Sequence, residues 1–94
     1  MVLEVASIDV QSGHEEAFAR AYHDARQLLL DAGALSARLT RGVESPQRFT
    51  LLVEWPSVRQ HEEGFRATDR FVAWRAAIGP HFAAPPSVEH FTDV

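Results

Sequence analysis

Residues 48–55 read RFTLLVEW, and this stretch decides the fold. Its β-branched and aromatic residues favour an extended strand, which Pro56 ends. Leu52 lies on one of its two alternating faces, and the other face is apolar throughout: Phe49, Leu51, Val53 and Trp55. A strand that is apolar on both faces predicts a sheet that is covered on both sides.

Three further stretches predict partner strands for this central one. Residues 34–44 alternate before the turn ESPQ, in which Ser45 and Pro46 favour a type I turn leading into RFTLLVEW. Residues 2–10, VLEVASIDV, and residues 87–93, SVEHFTD, predict a first and a last strand. One face of the 34–44 strand is predicted to carry its apolar side chains, namely Leu35, Ala37, Leu39 and Val43.

Two Ser-x-x-Glu/Gln patterns mark helix starts. Ser12 and Glu15 form a capping-box pattern that predicts a helix from about residue 14 to 31, with Gly33 just past its end. The buried stripe of that helix is predicted from its spacing: Phe18, Ala21, Tyr22, Ala25 and Leu29.

The second pattern, Ser57 with Gln60, predicts a short helix that runs to about Arg66. Thr68 is a plausible cap for a further helix, which Gly79-Pro80 ends. The whole chain, residues 1–94, is therefore predicted to be one α+β domain with the order β-α-β-β-α-(α)-β. That order is typical of a ferredoxin-like protomer with a four-stranded antiparallel sheet.

The helices can cover only one face of such a sheet. The second apolar face, built on residues 2–10 and 48–55, predicts an interface. A homodimer with two sheets packed together is the simplest closure.

Composition narrows the classes of partner. The chain has 94 residues, no cysteine and a net charge of -4, with no basic run. An acidic chain of this kind is not expected to bind nucleic acid or a membrane, and its N-terminal strand pattern does not fit a signal peptide. The expected compartment is the cytoplasm.

Two near-identical runs, HEEAF at residues 14–18 and HEEGF at 61–65, each fall one residue short of a zinc-protease motif. Both have phenylalanine where the second histidine ligand would stand, so no metal site is expected. Phe18 and Phe65 are instead predicted to be equivalent anchors in the core. The glutamates suit the first turns of helices, where the dipole favours acidic side chains.

The segments MVLEVASIDVQSGHEEAF, ESPQRFTLLVEW, SVRQHEEGFR and HFAAPPSVEHF together resemble the antibiotic biosynthesis monooxygenase (ABM) family over essentially the whole chain. The resemblance implies a dimeric α+β barrel with a pocket between sheet and helices. It also implies oxidation of a small aromatic, phenol- or anthrone-like substrate by oxygen without a cofactor. Other members of the family are stress-linked or uncharacterised, so a non-catalytic binding protein is the alternative.

Related haem-degrading proteins carry an asparagine, a tryptophan and a haem-ligating histidine at places that correspond here to Ser7, Gly64 and Trp74. All three positions differ, so the resemblance does not extend to haem chemistry. The polyketide oxidases line their pocket with tryptophan, tyrosine, arginine and asparagine, and this chain matches that set in kind only.

His61 is the candidate catalytic residue, because it lies four residues before Phe65 and should share its inward face. A histidine near neutral pKa suits proton transfer; the alternative is a core histidine. The candidate substrate-binding residues, each with a packing or solvated role as its alternative, are Trp55, Phe65, Trp74, Arg75, Tyr22 and His90.

Overall fold

A computed structural model describes all residues from Met1 to Val94. Four strands and three α-helices form in the predicted order, with a π-helical turn after the second helix and a 3₁₀ turn after the third. Their bounds are β1 Val2–Asp9, α1 Glu15–Asp31, β2 Ser36–Arg41, β3 Arg48–Trp55, α2 Val58–His61, the π-turn Glu62–Arg66, α3 Asp69–Ile78, the 3₁₀ turn Gly79–His81 and β4 Ser87–Phe91.

The sheet has the strand order β2-β3-β1-β4, and every neighbouring pair is antiparallel. β3 and β1 are central, and their register places Glu4 opposite Val53 and Ala6 opposite Leu51. β4 pairs with the other edge of β1, where His90 lies opposite Glu4. This arrangement confirms the predicted ferredoxin-like α+β fold.

The helices cover one face of the sheet, and the hydrophobic core fills the space between them. α1 buries Phe18, Tyr22, Ala25 and Leu29, as its spacing predicted. Phe18 and Phe65 are each 1% exposed. Both are therefore core anchors, which confirms the prediction made from the two HEE runs.

The opposite face of the sheet is not covered by any element of this chain. Leu3 of β1, Leu52 of β3 and Phe91 of β4 point to that side. They border a broad depression of about 710 Å³, whose rim carries Arg38 and Glu54. One face of β3 thus lies against the helices; the other is open and is apolar at Leu52 but polar at Arg48, Thr50 and Glu54.

Three local predictions differ from the structure. Ser12 does not cap α1: the N-cap is His14, and the Glu15 carboxylate accepts from the Gly13 N–H at 2.7 Å. The 34–44 strand is shorter, and its outer apolar residues Leu35 and Val43 are exposed. Both residues lie outside the strand Ser36–Arg41, so alternation there does not decide burial.

The third difference concerns the segment after Ser57. The predicted cap is present, since Ser57 Oγ accepts from the Gln60 N–H at 3.1 Å. The helix it begins, however, changes to π-type hydrogen bonding after His61. Single π-helical turns inside helical segments are frequent at functional sites.

Candidate functional site

A cavity of about 190 Å³ lies between the helical layer and the β1–β4 side of the sheet. Most of its wall is apolar; Glu4 and His61 form a polar end, and the charged side chains Arg66 and Arg75 also line it. The residues that matter for its chemistry are Glu4, His61, Phe65, Trp74, Arg75 and Val88. A mostly apolar cavity with a few convergent polar groups is typical of a small-molecule site.

The polar end is assembled from the sheet and from the end of α2. Glu4 projects from the helix-facing side of β1, and its side chain is buried, with the residue 5% exposed. His61 is the last residue of α2 and is 2% exposed. Its ring stacks on the indole of Trp55 at a centroid distance of 5.0 Å and an interplanar angle of 15°.

Short polar contacts join four side chains, here called the polar cluster: Glu4, Trp55, His61 and His90. Trp55 Nε1–H donates to Glu4 Oε1 at 2.9 Å, and His61 Nε2 lies 3.3 Å from the same oxygen. On the other side of the ring, His61 Nδ1 lies 2.7 Å from His90 Nε2. Both ring nitrogens of His61 are therefore engaged.

Burial shifts the ionisation of the two central groups in a way that favours their neutral forms. It raises the pKa of the Glu4 carboxyl, and the Trp55 hydrogen bond only partly opposes that shift. Burial lowers the pKa of His61 to about 4, assisted by the nearby His90 and Arg66. His61 is consequently neutral near pH 7, so its 3.3 Å contact with Glu4 is not an ion pair at that pH.

The neighbours of His61 indicate which tautomer it adopts. When Glu4 is ionised it can only accept, so the proton of neutral His61 lies on Nε2 and points at Glu4. Nδ1 is then an acceptor, which His90 Nε2–H satisfies. The lone pair of a buried imidazole thus faces the half-buried His90 on β4.

The structure brings together most of the residues that the sequence singled out. His61, Phe65, Trp74 and Arg75 line the cavity. Trp55 and His90 lie behind its wall and join it through Glu4 and His61.

Tyr22 is the predicted site residue that neither lines the cavity nor joins the polar cluster. Its ring meets Trp74 edge-on at 6.1 Å, and its hydroxyl is buried without a hydrogen-bond partner. Burial raises the pKa of Tyr22.

Glu4 is the site residue that the sequence reasoning missed. Its signal was available, since it shares the inward parity of β1 with Ala6 and Ile8. An acidic residue at a position that alternation assigns to the core requires a partner, and here the partners are Trp55 and His61.

A ferredoxin-like α+β domain with a polar cluster at the end of an apolar cavity is typical of small-molecule-binding proteins. Residues 1–77 match the family model described as antibiotic biosynthesis monooxygenase. The chain belongs to that family, which confirms the resemblance drawn from its sequence. No helix is both long enough and apolar enough to cross a membrane.

Individual relatives agree with this assignment. The chain is 33% identical over 95 residues to the uncharacterised protein YczJ of Bacillus subtilis, with both proteins covered completely. A Bordetella bronchiseptica structure of a candidate antibiotic biosynthesis monooxygenase superposes with a TM-score of 0.96 at 41% identity, covering 99% of this chain and 96% of that one. SnoaB from Streptomyces nogalater, described as a cofactor-independent oxygenase, shares the fold with a TM-score of 0.82 at 15% identity, covering 98% and 91%.

Proposed function

We propose that the protein is a cofactor-independent monooxygenase that oxidises a small phenol- or anthrone-like substrate with molecular oxygen. The observation that carries the proposal is a buried, neutral histidine at the polar end of an apolar cavity. Family membership supports the type of reaction. The cavity volume of about 190 Å³ is below the roughly 300–1,000 Å³ of pockets that enclose drug-sized ligands, which favours a substrate of one to three rings.

The chemistry requires only that the substrate be deprotonated and shielded. A phenolate gives one electron to oxygen, and the resulting radical pair joins to form a carbon–oxygen bond. The resulting peroxide anion takes up one proton, matching the one removed from the phenol, and the hydroperoxide then loses water and leaves a carbonyl, so one oxygen atom enters the product and the other enters water. The protein needs to exclude solvent, orient the ring and accept the proton.

His61 is the proposed proton acceptor, through Nδ1. The substrate hydroxyl takes the place of His90 at this nitrogen, because His90 is the more exposed of the two partners of His61 and lies on an edge strand. Glu4 holds the Nε2 proton and fixes the tautomer. A phenolate formed beside the ring favours the imidazolium and so helps His61 to keep the proton.

The remaining candidates have supporting roles in this proposal. Phe65 and Trp74 form the walls against which the aromatic ring packs, and Trp55 supports the His61 ring from behind. Arg75, exposed at the cavity, provides the positive charge that a phenolate requires. Tyr22 contacts Trp74 and fixes the position of that wall, and His90 carries the proton onward from the site.

Oxygen consumption tests the proposal. The assay uses anthrones and naphthols with a chelator present, and ¹⁸O₂ labelling shows whether one oxygen atom enters the product. Loss of a general base typically costs ~10²–10⁴-fold in rate, which is the effect expected for His61→Ala and for the more conservative His61→Gln. His14→Ala removes the corresponding histidine of the other HEE run and should leave the rate unchanged. Turnover by both His61 variants at the wild-type rate would exclude His61 as the base.

A non-catalytic binding protein is the second candidate, and one observation favours it. Both ring nitrogens of His61 already have partners within the chain, as in a purely structural cluster. Titrating the same compounds under anaerobic conditions, with tryptophan fluorescence as the readout, separates the two functions. Saturable binding without oxygen uptake in air would select the binding protein.

The open face of the sheet supports a homodimer as the functional form. A second copy packed against Leu3, Leu52 and Phe91 would cover the apolar surface that this chain leaves exposed. Light scattering should report about twice the chain mass of 10.5 kDa. Leu52→Glu places a charge in the middle of that face and should yield monomers, whereas a wild-type monomer would exclude the dimer.

A further inference from the structure

Three side chains with metal-ligand chemistry converge beside the cavity. One ligand atom from each of His61, Glu62 and His90 lies within 4.8 Å of the others. We propose that these three residues bind a divalent transition-metal ion, for which Zn²⁺ is the natural probe. The HEEGF run lacks its second histidine on the helix, and β4 supplies one from the far end of the chain.

The two imidazoles already face each other with their ring nitrogens, as ligands of one ion do. His61 Nδ1 and His90 Nε2 are 2.7 Å apart, a distance at which one nitrogen must carry a proton. A metal ion replaces that proton. With Zn–N bonds of about 2.0–2.1 Å the two nitrogens would stand roughly 3.3 Å apart in a tetrahedral site, so they need to separate by about half an ångström.

The outer contacts of His61 fit a ligand. A metal-binding histidine usually donates its second N–H to a carboxylate, which fixes the ring and makes it a better donor. Glu4 Oε1 occupies this position, 3.3 Å from His61 Nε2, and is itself held by the Trp55 N–H. The cluster thus contains both the ligands and the carboxylate that orients one of them.

Glu62 completes the set from the first residue of the π-turn. Its carboxylate is part-exposed and is paired only loosely with Arg66, at 3.8 Å. Two imidazoles and one carboxylate form a donor set that zinc accepts while keeping a fourth position for water or another ligand. When an ion enters, the Arg66–Glu62 contact has to yield and the His61–His90 hydrogen bond has to open.

Binding does not depend on the proposed monooxygenase function, but it would affect that function. The ion occupies His61 Nδ1, the nitrogen assigned to proton transfer. Metal-loaded protein should therefore be inactive in the oxygen assay, and a chelator should restore the activity. If the protein oxidises nothing, the binding measurement still stands by itself.

Calorimetric titration of chelator-treated protein with Zn²⁺ tests the site directly. Wild type should bind one ion per chain, and Co²⁺ should give the visible absorption of a tetrahedral complex. His90→Ala and Glu62→Gln each remove a ligand and should weaken binding by more than the roughly 10–100-fold expected when Glu4→Gln removes the orienting carboxylate. His90 and Glu62 are not buried, so these two variants should still fold, which their circular dichroism spectra check.

Matched controls come from the same run of sequence and from the other histidine pair. Glu63→Gln neutralises the next glutamate, and His14→Ala breaks the His14–His81 contact, whose facing nitrogens are 3.1 Å apart. Both should bind Zn²⁺ as wild type does. The proposal is overturned if wild type has a Kd above about 100 µM, or if either ligand variant binds as tightly as wild type. Binding that is lost in His14→Ala instead would also overturn it.

Discussion

The runs HEEAF (residues 14–18) and HEEGF (61–65) occupy comparable places but have different environments. Each ends in a phenylalanine that is 1% exposed, and each begins with a histidine that faces a second histidine from the last part of the chain. His14 sits at the half-exposed start of α1. His61 is buried against Glu4 and Trp55 at the end of α2.

The two runs have different environments because of the residues that pack around them, not because of their own residues. In HEEAF, both glutamates make contacts at the protein surface. Glu15 accepts from the Gly13 N–H, and Glu16 pairs with Arg41 at 3.0 Å. Around HEEGF, a buried carboxylate from β1 meets the histidine from inside the core. The same motif is therefore a helix start in one place and part of a polar site in the other.

The largest expected effect concerns what the two runs share. Phe18→Ala and Phe65→Ala should each lower the free energy of unfolding by about 3–5 kcal/mol, because both remove a fully buried ring. Denaturant unfolding measures this, and Val72→Ala on the exposed side of α3 is the control. If Phe65→Ala cost far less than Phe18→Ala, the two anchors would not be equivalent.

The next largest effect is the pH dependence of stability, to which the buried His61 contributes. Burial holds the folded-state pKa of His61 at about 4, below its usual 6.5. Between these values the unfolded chain binds more protons, so stability falls as pH falls from 6.5 to 4, by on the order of 3 kcal/mol. Glu4 contributes with the opposite sign. Because its pKa is raised in the folded state, it stabilises the folded chain at low pH, and this stabilisation is lost as pH rises above 4.5.

His61→Gln should remove the His61 contribution, so that stability no longer falls as pH falls from 6.5 to 4. Urea unfolding at several pH values, with a chelator present, measures the profile. Leu29→Ala is the control: it removes a buried side chain and should lower stability at every pH without changing the slope. A wild-type slope in His61→Gln would show that another group governs the acid limb.

A structural feature of this molecule can be predicted from the sequence when residues close together in the chain determine it. β3 and α1 carry their own periodicity, so their existence, faces and core residues followed from the chain alone. The polar cluster did not, because it joins positions 4, 55, 61 and 90 through tertiary contacts. Alternation along β1 indicated that Glu4 points inward, but only the register of β1 with β3 and β4 shows what it meets.

The two capping-box patterns provide a smaller contrast between the runs. Ser57 accepts from the Gln60 N–H, whereas the Ser12 pattern leaves α1 with His14 as its N-cap. Ser57→Ala should therefore cost about 1 kcal/mol, within the usual 0.5–2 range for lost caps. Ser12→Ala is the matched control and should change stability by less than about 0.5 kcal/mol. Equal losses in thermal or denaturant unfolding would contradict the observed caps.

The smallest expected effect concerns the one residue by which the two runs differ, Ala17 against Gly64. A Cβ on Gly64 would collide with the side-chain amide of Gln60, which donates to the Ala32 carbonyl at 2.8 Å. Gly64→Ala should therefore break the hydrogen bond from Gln60 to Ala32, which costs about 0.5–1.5 kcal/mol. It should also gain up to about 1 kcal/mol, because alanine has the higher helix propensity. These two contributions nearly cancel, so the single variant should be close to wild type in stability.

A double-mutant cycle resolves the two opposing contributions. In a Gln60→Ala background the amide is absent, so Gly64→Ala should show only the propensity gain and stabilise the chain. The coupling between positions 60 and 64 is expected to be about 1 kcal/mol. In the other run, Ala17→Gly should cost about 0.5–1 kcal/mol in both backgrounds, because Ala17 lies in α1. If Gln60→Ala and Gly64→Ala were additive, the Gln60 amide would not be the group that restricts position 64.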